Sequence, residues 1–94
     1  MSIQEKLGKA IVLLRKEKGL SQESFAYDAG IDRRYMSDIE NGKRNISLDI
    51  IERISQKLGL KISELFAIAE GMEKWNSFKQ IKVINISIAW SRIL

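Results

Sequence analysis

The 94-residue chain contains no cysteine and no histidine. That removes disulfides, thiolate chemistry, zinc sites of the usual kind and histidine acid–base catalysis. The absence of cysteine also agrees with a reducing cytoplasm. Proline is absent too. No uncharged run approaches the ~20 residues that a membrane span needs. The opening "MSIQEKLGKAIVLLRKEKG" lacks the basic start, apolar block and cleavage site of a signal peptide. No cluster of carboxylates, serines or lysines has a spacing that argues for an enzyme's pocket, and so small a chain has little room for one. No catalytic residue, cofactor or metal is expected.

Acidity is missing from one region only. Residues 1–73 hold twelve basic and twelve acidic groups, whereas Lys74, Lys79, Lys82 and Arg92 stand in the remainder without an acid. The whole formal charge of +4 therefore sits there. An anion site in the body of the protein must then be a local cluster and not a property of the overall field.

What is present is helical. Gly19, Gly30, Gly42 and Gly59 each follow a helix-like run, at the position where a left-handed residue closes a helix. Between them the apolar residues fall at helical spacing. The inward faces read Ile3, Leu7, Ile11 and Leu14; Phe25, Ala26 and Ala29; Met36 and Ile39; Ile50, Ile51, Ile54 and Leu58; and Ile62, Leu65, Phe66 and Ala69. Ser21, Asp32 and Ser47 are the expected caps of the second, third and fourth helices. The expected fold is all-α: a five-helix domain over residues 1–69, followed by an extension over 70–94. In that extension Ile84, Ile86, Ile88 and Trp90 alternate with Asn85, Ser87 and Ala89, which favours a β-strand over a helix. An uncovered strand of this kind pairs with other chains, so residues 74–94 are expected to meet the body, a second copy or a protein partner.

The third helix carries its charges against its own dipole. Arg33 and Arg34 open it, and Asp38 and Glu40 lie near its end. Each such placement costs about 0.3–1 kcal/mol at an exposed site. The second and third helices are joined by "AGID", a short turn with glycine, which is the pattern of a helix-turn-helix. With Met36 and Ile39 inward, Arg33, Arg34, Ser37 and Asp38 lie toward the opposite face. A bidentate arginine–guanine contact is worth about 1–3 kcal/mol of base discrimination, more than the dipole costs. The plainer alternative is an ordinary surface pair between Arg34 and Asp38, four residues apart and worth about 0.2–0.5 kcal/mol.

The segments "GLSQ", "AGI", "SDIENGKRN" and "LGL" fall in register with the Cro/C1-type (lambda-repressor-like) helix-turn-helix family, which the chain resembles over residues 5–69. The run "DRRYMSDIENGKRNIS" looks most like the controller proteins of restriction–modification systems. The resemblance implies a sequence-specific transcriptional regulator that binds double-stranded DNA as a homodimer on a palindromic operator. It assigns base reading to Arg33, Arg34 and Ser37. It assigns phosphate contact to Gln22 and contact with the flanking DNA backbone to Lys43, Arg44 and Asn45. Tyr35 is expected to pack partly on the scaffold with its hydroxyl free for a phosphate. Glu40 is expected to pair with Arg15 of the first helix. Three positions depart from the family pattern: Ser24 where a glutamate often completes a capping box, Ile46 for a frequent proline, and Lys61 for a polar cap. The other class of function to weigh is an antitoxin, a DNA-binding protein whose extension over 74–94 docks on a toxin.

Overall fold

Side-chain caps decide where the helices begin. The computed structural model describes residues 1–72, and in them five helices follow one another: α1 Ile3–Glu17, α2 Gln22–Ala29, α3 Arg33–Glu40, α4 Leu48–Leu58 and α5 Ile62–Glu70. Ser21 Oγ accepts from the Ser24 N–H, and Ser47 Oγ from the Ile50 N–H. Asp32 accepts from the N–H groups of both Arg34 and Tyr35. Ser2 caps α1 in the same manner through the Glu5 N–H. Such caps stabilise a helix by about 0.5–2 kcal/mol each. At α5 the lysine offers no acceptor, and the Glu64 carboxylate instead takes the Lys61 backbone N–H at 2.8 Å. That is half of a capping box. With serine at position 24, the cap of α2 is likewise one-sided.

All four expected glycines close a helix or turn with φ near +70°. The one that matters to function is Gly30, between α2 and α3. Its left-handed backbone lets the Ile31 N–H reach back to the Ala26 carbonyl at 2.8 Å. Ile31 is drawn into the core by that bond. The turn is therefore fixed by a main-chain bond and an apolar anchor together.

The core runs through all five helices. Phe25, Ile11, Met36, Ile39, Ile54, Leu65 and Ile68 are buried almost completely, each side chain contributing about 1.5–3 kcal/mol by burial. Several expected core residues lie at its edge. Leu14, Ile50 and Phe66 are half-buried against the cluster. Ile3 and Ile62 are exposed, at 45% and 37%. Both stand at the first position of a helix, α1 and α5 respectively. Ile3 lines an open groove with Leu7, Ile46, Ile51 and Phe66. Ile68 takes a place in the core that the expected face of α5 did not include. The strand expected at Ile84–Trp90 and the partner surface expected at 74–94 lie outside the described residues.

Candidate nucleic-acid interface

α3 has one exposed end and one held end. At the exposed end stand Arg33 and Arg34, both open to solvent. Neither guanidinium makes a hydrogen bond or ion pair with another described residue. No acidic residue occupies the first turn of α3 and no basic residue the last. The Asp32 carboxylate, bonded to two N–H groups of that first turn at 2.9 and 3.3 Å, supplies the negative charge that this helix end favours.

At the held end, both carboxylates are matched by cations from outside the helix. Glu40 accepts from Arg15 Nε at 2.9 Å and from Arg15 Nη2 at 3.0 Å. The two side chains are 5% and 9% exposed, and the arginine's remaining Nη1 donates to the Leu20 carbonyl at 2.8 Å. A planar guanidinium and a carboxylate meet here fork to fork, the strongest geometry open to the two groups. Every charge in the pair is thereby bonded, as its burial demands.

Asp38 does not pair with Arg34. It pairs with Arg44, whose Nε lies 3.1 Å from Oδ2. The reason is the turn after α3. Gly42 adopts a left-handed backbone and the Lys43 N–H bonds to the Asp38 carbonyl at 2.9 Å, so the chain doubles back along the helix it has just left. Arg44 then lies over the Tyr35 ring, 5.2 Å from its centroid, within cation–π range. Arg44 is thus a loop residue mounted on α3 by two α3 side chains. The pair is partly exposed, at 49% for Arg44 and 29% for Asp38, and is worth no more than about 1 kcal/mol.

The other expected contact residues fall around this helix. Gln22 sits at the first position of α2, and its Nε2 donates to Glu40 Oε1 at 3.0 Å. One N–H of that amide is used, which leaves the second for an outside acceptor. Lys43 is exposed and its ammonium has no partner among the described residues. Asn45 Oδ1 accepts from Gln4 Nε2 at 2.6 Å, which ties the loop to the start of α1. Asn41 Nδ2 donates to the Ser37 carbonyl at 2.9 Å, and Ser37 is half-buried.

Two residues went unmarked in the sequence. Arg53 of α4 donates to the Gly30 carbonyl at 3.2 Å and pairs with Asp49, which fastens the turn between α2 and α3. Gly8 of α1 lies against the last turn of α3. A glycine in the middle of a strong helix is itself a signal, because it costs about 0.8–1.0 kcal/mol against alanine. No group of three or more potential metal ligands gathers among the described residues, and no helix among them is long and apolar enough to cross a membrane.

Known proteins resemble this chain in sequence and in fold. A family model described as helix-turn-helix matches residues 11–65. The control protein C.MunI of a Mycoplasma species is 54% identical over 69 residues, which are 72% of this chain and 93% of that protein. The structure of the restriction–modification controller protein C.AhdI from Aeromonas hydrophila superposes with a TM-score of 0.64 at 40% identity, over 66% of this chain and 94% of that one. The structure of C.Esp1396I bound to a 25 base pair operator site superposes at 0.65 and 32% identity, over 73% of this chain and 91% of that one. The chain belongs to the Cro/C1-type helix-turn-helix family of non-enzymatic, DNA-binding transcriptional regulators, and among its members it is similar to the restriction–modification controller proteins.

Proposed function

We propose that the protein is a controller of a restriction–modification operon, acting as a homodimer on a two-fold operator. α3 is its recognition helix. Arg33 and Arg34 lead that helix into the major groove, where guanidinium groups donate to the O6 and N7 acceptors of guanine. Ser37, one turn further on, reaches the same base edges. Gln22, at the N-terminus of α2, meets a phosphate with its spare amide N–H, assisted by the N–H groups of the helix end. Lys43, Arg44 and Asn45 follow the flanking backbone, with the Tyr35 hydroxyl beside them. These contacts fix register, and the α3 side chains carry sequence. In a dimer built through α4 and α5, the two recognition helices lie about 34 Å apart, one turn of the duplex.

The observation that carries this reading is the state of Arg33 and Arg34. Every other charge on α3 is engaged within the fold, whereas these two are exposed and unpartnered among the described residues. Phosphates and guanine edges supply the anionic and acceptor groups they lack. The operator complex of C.Esp1396I supports the same role for this chain.

The test is a footprint and a stoichiometric titration on the DNA upstream of the protein's own gene. Two protected half-sites about one helical turn apart, filled by two protomers, are expected. A single half-site filled by one protomer would refute the dimeric reading. Protection that does not depend on sequence would refute the regulator itself.

A further inference from the structure

Along the face of α1 that meets α3, one residue has no side chain. Gly8 is buried in the middle of α1, where alanine is intrinsically the better helix former. A Cβ at this position would lie 2.6 Å from the carbonyl oxygens of both Ile39 and Glu40, and 3.0 Å from the Glu40 carbonyl carbon. These are main-chain atoms of the last turn of α3, so they cannot rotate aside as a flexible side chain would. Ordinary contact begins near 3.4 Å. A methyl group therefore requires the two helices to part by most of an ångström. Arg15, seven residues on and hence on the same face of α1, holds the Glu40 carboxylate. One turn before Gly8, the Glu5 backbone lies against Gly42, where a Cβ would come within 3.0 Å of its Cα.

We propose that Gly8 is a positioning residue for DNA reading. Its missing side chain sets how closely the C-terminal end of α3 seats on α1, and so the angle at which Arg33 and Arg34 are presented. This inference rests on α3 being the recognition helix. α3 is eight residues long, about 12 Å from end to end. Its first turn is anchored by the Asp32 cap and by the turn at Gly30 and Ile31. Lifting its last turn off α1 tilts the helix about that anchor. A hydrogen bond to a base edge keeps its strength over only a few tenths of an ångström, so base contacts are lost first. Phosphate contacts survive the tilt, because a lysine ammonium attracts a phosphate as a point charge with little directional demand, whereas a guanidinium must meet a base edge with its planar fork aligned.

The experiment is Gly8→Ala in the full chain, followed by thermal unfolding, assigned amide spectra of the free protein, and affinity for upstream and scrambled duplexes. The variant is expected to fold and to shift the amide resonances of Arg33–Glu40 more than those of α4. Its preference for upstream DNA should fall roughly tenfold or more, the loss of one base contact. Affinity for scrambled DNA and its salt dependence should stay within about twofold. Ile54→Val, a core change in α4, serves as the stability control: it should lower the unfolding temperature and leave the preference unchanged. Unmoved α3 amides, an unchanged preference, or a Gly8→Ala chain that no longer folds would each overturn the proposal, the last by making Gly8 a requirement of the core. If the unaltered protein itself shows no preference for upstream DNA, the regulator reading fails, and the amide shifts alone decide whether Gly8 sets the seat of α3.

Discussion

The two ends of α3 are built to opposite rules. At the C-terminal end, Glu40 is buried, held by both nitrogens of one face of Arg15 and by Gln22, while Gly8 allows backbone to press on backbone. At the N-terminal end, Arg33 and Arg34 stand in solvent without a partner among the described residues. A recognition helix needs both conditions. One end must be fixed so that geometry is defined before DNA arrives, and the other must be left unsatisfied so that DNA completes it. Contacts with the fold are therefore concentrated at one end and contacts with DNA at the other, and truncating side chains at each end should separate stability from base discrimination.

Glu40→Ala should have the largest effect. It strands a buried guanidinium, and removing one member of such a pair costs about 3–5 kcal/mol, measurable as a lower denaturation midpoint. Sequence preference, measured where the variant is still folded, should fall less than in Gly8→Ala, because losing the carboxylate leaves the α3 backbone in its contact with Gly8. Arg33→Ala should do the reverse: about 1–3 kcal/mol of base discrimination is lost, with the unfolding temperature unmoved or slightly raised as the cost against the helix dipole is relieved. Asp32→Ala lies between the two, because it removes the cap from the exposed end. It should cost about 0.5–2 kcal/mol of stability. Lys43→Ala should weaken upstream and random DNA alike and reduce the slope of log affinity against log salt by about 0.9. Smallest of all is Asp38→Asn, which loses a partly exposed pair with Arg44 worth no more than about 1 kcal/mol in stability. If Asp38→Asn lowered stability as much as Glu40→Ala, the contrast between the two ends would not hold.

Much of this was legible before any coordinates. Ser21, Asp32 and Ser47 cap the helices they were expected to cap, since a cap is a local event between residues two or three apart. The glycine-closed turns are local for the same reason. The partner of Asp38 was not legible. Spacing along a helix offers Arg34, but the left-handed Gly42 turn folds the chain back and brings Arg44 over Asp38 and Tyr35, and the path of a loop is not written in a helical period. The contact between Gly8 and the Ile39 and Glu40 carbonyls joins α1 to α3 across more than thirty residues, which no local pattern encodes. The Gln22–Glu40 bond is hidden in the same way. Faces blur where a helix is apolar nearly all round: "ISELFAIAE" in α5 allows more than one inward stripe, and Ile68 rather than Ile62 is buried.

The most direct test compares the unaltered protein with an Arg33→Ala, Arg34→Ala double variant on upstream and scrambled duplexes at one moderate salt concentration. The unaltered protein should favour its upstream site by about a thousandfold or more, and the double variant should lose most of that preference while unfolding at the same or a slightly higher temperature. A double variant that still tells the two duplexes apart as well as the unaltered protein does would show that the exposed end of α3 is not where sequence is read.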